Sequence, residues 1–115
     1  MVFDFTVSAQ GNHALISLSG NLIEKGQAIS LLDKAEELVQ QNCALWAIDL
    51  EKLIYMNSSG LNTLIQLLTK ARVAGGEAVL YNMNKKINEL ILITKLHTLF
   101  KISDSQREAL SILGV

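Results

Sequence analysis

The chain begins with two short stretches in which apolar and polar residues alternate. Apolar side chains occupy every second position of residues 3–7, and they do so again in residues 14–18. An alternation of this kind is typical of a strand that is buried on one face only. Gly11 and Asn12 separate the two stretches and tolerate the backbone conformations of a tight turn. The pattern therefore predicts an N-terminal antiparallel hairpin.

Beyond the hairpin, segments with helical spacing of apolar residues alternate with short continuous apolar blocks. Residues 27–41 carry their apolar side chains on one helical stripe, with charged residues on the other side. The block CALWAIDL follows, and its shortness and continuity predict a central strand covered on both faces. Residues 61–71 return to helical spacing, and Gly75-Gly76 is typical of a helix end. The remaining segments are predicted as strand, helix, strand and helix: EAVLYNM, NKKINELILITKL, TLFKIS and QREALSIL.

The predicted order is therefore β-β-α-β-α-β-α-β-α. Strands that alternate with helices indicate an α/β fold with right-handed crossovers, here a mixed sheet that is parallel apart from the first hairpin, with helices packed on it. A chain of 115 residues without a repeat or linker has room for one core. We expect a single domain that spans residues 1–115.

The composition of the chain argues against several classes of function. The net charge of −1 comes from mixed signs without a basic cluster, which argues against direct nucleic-acid binding. Cys43 is the only cysteine, and His13 and His97 lack metal-ligand spacing, so we expect neither a metal site nor a cofactor. No apolar block is long enough for a membrane span, and the first ten residues do not read as a signal peptide, which predicts a cytoplasmic protein.

The junction between the central strand and the next helix has an unusual composition. In the stretch IDLEKLIYMNSSGLNTLIQLL, an Asn, two Ser and a Gly stand between the two elements. Asn57, Ser58 or Ser59 could each cap the helix, but one cap is sufficient. Gly60 weakens a helix unless the backbone there must stay small. Free amides and the helix dipole also suit a phosphoryl group, so a simple cap and an anion or modification site both stay open.

The stretch AIDLEKLIYMNSSGLNTLIQLL resembles the signature of the STAS domain of bacterial anti-sigma factor antagonists. In that signature an apolar strand ends in Asp-Leu, and after a short link Asp-Ser-Ser-Gly-Leu or Asp-Ser-Thr-Gly-Leu opens a helix. The element order, the segment LSGNL after the second strand, the glycines after the central helix and the short final helix also fit. The resemblance thus covers almost the whole chain, and it implies a STAS-like fold.

The resemblance also implies a function. Members of the family are not enzymes; they bind a histidine-kinase-like serine kinase that acts as an anti-sigma factor, and its phosphorylation of the first serine of the motif, here Ser58, ends the binding. Asp49 is expected to support the site by accepting backbone amides of the Ser58 loop. The residues expected to contact the partner are Asn57, Ser58, Ser59, Gly60, Leu61 and Asn62.

One departure keeps an alternative open. Asn57 stands where the family usually has an aspartate, so the motif lacks a negative charge beside Ser58. The alternative is a constitutive binding or scaffold module without a phosphoswitch, which holds a small anion, a nucleotide or a lipid at the helix N-terminus. An enzyme is the weakest interpretation, because no base is placed to activate either serine. Apolar residues of the third helix, Leu92, Ile93 and Leu96, are predicted to join the docking surface.

Overall fold

The computed structural model describes residues 2–115. These residues form five strands and four α-helices, with 3₁₀ turns at Lys25–Ala28 and Leu96–Thr98. The strands are β1 (Asp4–Gln10), β2 (His13–Leu22), β3 (Leu45–Met56), β4 (Glu77–Tyr81) and β5 (Lys101–Ser103). The helices are α1 (Ile29–Gln40), α2 (Ser58–Val73), α3 (Lys85–Ile93) and α4 (Gln106–Leu113).

All five strands belong to one sheet, in the order β1-β2-β3-β4-β5. β1 pairs with β2 in antiparallel register, and every other pair is parallel. The turn of the hairpin places Gly11 at a φ of 66°, a conformation that glycine adopts without strain. The predicted mixed α/β sheet with an N-terminal antiparallel hairpin is confirmed.

The core lies on both faces of the sheet because neighbouring residues of β3 point to opposite sides. Trp46 and Ile48 belong to the larger cluster of buried side chains, together with residues of α1, α2 and α3. Ala47, between them, faces α4 on the other side. Trp46 is fully buried, and its indole Nε1 donates to the carbonyl oxygen of Cys43 over 2.8 Å. The prediction of a central strand covered on both faces is correct.

β3 is longer than its apolar block predicted. The strand continues for six residues past Leu50 and ends at Met56, where the sequence indicated a short link. The extension is held by β2, whose residues 19–22 pair with it across two register shifts, and Leu53 and Met56 point into the core. The segment LSGNL therefore lies inside β2 and does not follow it. Because residues 51–52 and 54–55 are exposed in consecutive pairs, the extension lacks the apolar–polar alternation that predicts a strand.

The prediction of a strand over TLFKIS is only partly correct. Leu96–Thr98 form a 3₁₀ turn, and only Lys101–Ser103 pair with β4. Lys95 ends the preceding helix with a φ of 61°, and Leu96 and Phe100 then fill the core from the turn. In so short a run, apolar residues that pack into the core from a turn have the same spacing as those of a strand, so the sequence pattern could not distinguish the two.

Candidate functional site

The candidate site is the N-terminus of α2, at the carboxyl end of β3. Asn57 has an extended backbone, with φ −105° and ψ −165°, and its side-chain Oδ1 accepts a hydrogen bond from the Gly60 amide over 3.2 Å. This is the geometry of an N-cap. Of the three residues that the sequence offered as caps, Asn57 caps the helix, which leaves both serines without that role.

Asn57 makes a second hydrogen bond that an aspartate could not make. Its Nδ2 donates to the carbonyl oxygen of Ile23 over 2.8 Å, which ties the start of α2 to the segment that follows β2. A carboxylate has no proton to donate at neutral pH, and it would face the Ile23 carbonyl with like partial charge. The asparagine in the motif thus has a structural explanation in this chain.

Ser58 is the first residue of α2, and its side chain is exposed. Within residues 2–115 no protein group hydrogen-bonds to its hydroxyl. Ser59 is only half-exposed, and its carbonyl oxygen accepts from the Thr63 hydroxyl over 3.2 Å inside the helix. Of the two serines, Ser58 is the more exposed.

A cavity of about 350 Å³ adjoins Ser58. It lies between the N-terminal part of α2 on one side and the 3₁₀ turn and first residues of α1 on the other. Among residues 2–115, Lys25 alone contributes a charged side chain to its lining. The lining residues are Lys25, Ala28, Ile29, Leu32, Ser58, Ser59, Asn62, Thr63 and Gln66.

Lys25 and Ile29 line the cavity beside Ser58, and neither was predicted from the sequence as a site residue. A signal was available, because the carboxyl ends of neighbouring parallel strands meet at one edge of a sheet. The residues that follow β2 had therefore to lie beside those that follow β3. Ile29 is 60% exposed and lines the cavity with Ser58, whereas Ile23 is 40% exposed and is joined through its carbonyl oxygen to Asn57, the residue before Ser58.

Two residues predicted to contact a partner are buried. Gly60 has no side chain and the side chain of Leu61 packs in the core, so neither offers a side chain to a docking protein, and this part of the prediction is wrong. A Cβ at Gly60 would lie 2.6 Å from the Cβ of Met56 and would collide with the Leu22 carbonyl oxygen. Glycine is therefore required there by close packing of α2 on the strands. Asn62, by contrast, is exposed and lines the cavity beside Ser58, and its contact with a partner stays a prediction.

Asp49 does not orient the Ser58 loop, which corrects a second prediction. Its Oδ1 accepts from the Glu51 amide over 2.9 Å and from the Asn82 side-chain amide over 3.4 Å. The reason is the length of β3, which continues seven residues beyond Asp49. At about 3.3 Å per residue, even the end of β3 is roughly 23 Å from Asp49, and α2 begins beyond it.

A second cavity, of about 620 Å³, lies on the other side of the β3 extension and contains none of the motif residues. It opens at the carboxyl ends of β4 and β5, with Glu51, Asn82 and Asp104 in its lining. Nearby, burial raises the pKa of the Tyr81 phenol to about 12, with further contributions from the charges of Asp49 and Glu51. This cavity is separate from the candidate site.

The third helix contributes less than expected. Leu92 and Ile93 are 49% and 78% exposed, but Leu96 is buried in the core, so the predicted patch loses one member. None of the residues that line the cavity beside Ser58 comes from α3. The α3 residues therefore take no part in this cavity, and their place in a docking surface with Ser58 stays a prediction.

Other chemistry finds little support in the part of the chain described here. No group of three or more His, Cys, Asp or Glu side chains in residues 2–115 has the arrangement of a metal site. Burial raises the pKa of the Cys43 thiol, which favours the unreactive protonated form. Within the same residues, no helix has the length and apolar character to cross a bilayer.

The mixed sheet, with an exposed serine at the capped start of α2 on its carboxyl edge, defines a STAS-like α/β domain. The chain belongs to the STAS domain family, because the family model described as "Mlab, STAS domain" matches residues 5–102. The resemblance inferred from the sequence is thereby confirmed.

Relatives and solved structures agree with this assignment. An anti-sigma F factor antagonist from Paenibacillus polymyxa is 25% identical over 101 residues, which cover 88% of this chain and 86% of that protein. An anti-sigma factor antagonist from Mycobacterium paratuberculosis has a similar fold, with a TM-score of 0.79, 19% identity, and 98% and 95% of the two chains covered. The Bacillus cell fate determinant SpoIIAA in its phosphorylated form gives a TM-score of 0.72 at 17% identity, with 94% and 97% covered. The chain is thus an anti-sigma factor antagonist-like STAS domain.

Proposed function

We propose that this domain is a phosphorylation-switched antagonist of an anti-sigma factor, with Ser58 as the switch. The observation that carries the proposal is the placement of Ser58. Its hydroxyl is exposed at the first residue of α2, beside a separate residue that caps the helix. The hydroxyl is therefore free to take a phosphoryl group without loss of the cap. The proposal implies a cytoplasmic protein that carries no catalytic residue of its own.

The docking surface that we propose consists of Ser58, Asn62, Lys25, Ile23 and Ile29. The two isoleucines supply exposed apolar area, and the other three supply polar and charged groups around it. Apolar centres with a polar rim are typical of protein–protein contacts. The proposed partner is an anti-sigma factor that is also a histidine-kinase-like serine kinase.

The switch works through charge. The Ser58 oxygen attacks the γ-phosphorus of ATP in the kinase, the hydroxyl proton passes to a base of the kinase, and ADP leaves. The product carries a charge of about −1.5 to −2 at neutral pH. Within the domain, the N-terminus of α2 and Lys25 offset that charge. At an apolar interface the same charge would have to be desolvated, so the complex dissociates while the fold persists.

A second candidate is favoured by Asn57. Both polar atoms of its side chain make hydrogen bonds that hold the start of α2. The asparagine at this position is therefore explained without any role in phosphoryl transfer. In this candidate the domain binds its partner constitutively, or holds a small anion, a nucleotide or a lipid at the start of α2. Ser58 then contacts the partner without being modified.

Incubation with the histidine-kinase-like anti-sigma factor of the same organism, ATP and Mg²⁺ separates the two candidates. The kinase is first shown to be active by the ADP that it releases. The switch predicts one added phosphoryl group by intact mass, mapped to Ser58 and absent from Ser58→Ala. Ser59→Ala is the matched control and should be modified like the wild type. An unmodified protein with an active kinase favours the constitutive module.

A further inference from the structure

The two edges of the sheet differ in how they are protected against pairing with another strand. β5, at one edge, is only three residues long and begins with Lys101. β1, at the other edge, has seven residues in unbroken register with β2. The chain contains no proline, and Asp4 is the only charged residue in β1. An edge strand is usually protected by short length, charge, proline or bulges. Apart from the charge of Asp4, β1 has none of these features.

The composition of β1 also suits pairing. Residues 5–10 read FTVSAQ, an uncharged run rich in side chains that favour strands. Phe5 and Val7 pack against the main core but stay half-exposed at the edge of the sheet. Their side chains lie on the face that the crossover helices cover, because they pair with Leu18 and Ile16 of β2. A strand added beside β1 would bury more of these two side chains.

We propose that β1 is a self-association surface, on which β1 of a second copy pairs in antiparallel register to give a continuous ten-stranded sheet. A two-fold axis at Val7 sets the pairs. Val7 then faces its own counterpart, Phe5 faces Ala9 of the second copy, and Asp4 faces the uncharged Gln10. No like charges oppose each other, and the half-exposed apolar residues of both copies meet on one face.

This association is independent of the function proposed above. A two-fold axis perpendicular to the sheet reverses the strand direction between the two copies. The two Ser58 sites, each at the carboxyl end of β3, therefore lie at opposite ends of the ten-stranded sheet. Both docking surfaces stay accessible in the dimer, so a monomeric protein could still be an antagonist and a dimeric one could lack the switch.

The dimer should be weak. Two strands of seven residues bury less surface than the roughly 1,200–2,000 Å² of a stable protein interface. Sedimentation equilibrium should therefore run from about micromolar to about millimolar protein, the range in which weak interfaces dissociate. The expected result is a weight-average mass that rises from one copy towards two across this range.

Charged variants on the exposed face of β1 test the register. Thr6 and Ser8 are both exposed, and in the proposed register Thr6 faces Ser8 of the second copy. The double variant Thr6→Lys, Ser8→Lys creates two like-charge pairs and should weaken association about tenfold or more. The double variant Thr6→Lys, Ser8→Glu creates two opposite-charge pairs and should associate at least as well as the wild type. Lysines at Ser30 and Gln41, exposed on and just after α1, are the control for added charge and should change nothing.

Three results would overturn the proposal. A mass of one copy throughout the concentration range would show that the edge stays free. Undiminished association of the double-lysine variant would show that another surface forms the dimer. Equal weakening of the lysine–lysine and lysine–glutamate variants would rule out this register. Circular dichroism of each variant confirms that the monomer remains folded.

Discussion

Two asparagines join helix starts to neighbouring segments of the chain in the same way. Asn57 caps α2 and donates to the Ile23 carbonyl, and Asn84 caps α3 while its Nδ2 donates to the Leu53 carbonyl over 2.8 Å. In each case the side-chain oxygen serves the helix and the side-chain nitrogen serves a neighbouring segment. An aspartate keeps only the first of these bonds. The sequence limited the cap of α2 to three residues but could not choose among them, since all three carry a suitable oxygen.

Substitutions at Asn57 should separate its two hydrogen bonds. Asn57→Ala loses both the cap and the link to Ile23, so we expect the free energy of unfolding to fall by about 1–2 kcal/mol. Asn57→Asp keeps the cap and gains from the helix dipole, so its loss should be smaller, below about 1 kcal/mol. Urea denaturation measures both values. An aspartate variant as unstable as the alanine variant would contradict this division.

Gly60 tests the close packing of α2. Alanine favours a helix over glycine by about 1 kcal/mol, but a Cβ here would lie 2.6 Å from the Cβ of Met56. We expect Gly60→Ala to lower the free energy of unfolding by about 1–3 kcal/mol, because the overlap outweighs the helix preference. Gly26→Ala is the control, because no atom lies within 4 Å of its added Cβ. A stabilising Gly60→Ala would show that the helix start has room to move.

Tyr81 should make stability fall at high pH. Its pKa is raised to about 12 in the folded protein, against about 10 in an unfolded chain. The neutral phenol is therefore favoured by folding, and its contribution is complete below pH 10 and is lost as the pH rises through 12. The contribution is on the order of 2 kcal/mol. Thermal unfolding between pH 9 and 12 should show a steeper loss in the wild type than in Tyr81→Phe; parallel curves would contradict the shift.

At the scale of elements, the sequence predicted which helices and strands exist better than where they end. Each amphipathic or apolar run of residues 2–115 became an element of the predicted type, apart from the first part of TLFKIS. The end of β3 was missed because its last six residues have partners in β2 but none in β4, and they expose four side chains. That exposure depends on where β4 stops, which is not encoded in the local pattern of β3.

The segment between β2 and α1 should be part of the docking element. Ile23→Ser with Ile29→Ser removes the exposed apolar area beside Ser58, so we expect affinity for the anti-sigma factor to fall by at least about tenfold. Val73→Ser is the matched control, since Val73 is 85% exposed at the opposite end of α2 and should not affect binding. Calorimetric titration measures both. Equal affinities of the two variants would place the interface elsewhere.

At the scale of the whole molecule, the order of elements sufficed to predict the sheet, but the residues that form the site could be identified only from the three-dimensional structure. The motif located Ser58 and Asn62 on the surface side of α2, whereas Gly60 and Leu61 of the same motif are buried. Lys25 and Ile29 join the site from a segment some thirty positions earlier, through the parallel pairing of β2 and β3. A linear motif cannot show which of its members face inward or which distant segment lies against it.

The central claim is that negative charge at Ser58 ends binding. Phosphoserine installed at position 58 during synthesis, without a kinase, tests it most directly, with phosphoserine at the exposed Ser111 on the opposite face of the sheet as the charge-matched control. Titration against the anti-sigma factor of the same organism should give an affinity roughly 100-fold or more weaker for phosphoserine 58, and an unchanged affinity for phosphoserine 111. Equal affinities of the unmodified protein and the protein phosphorylated at Ser58 would contradict the account.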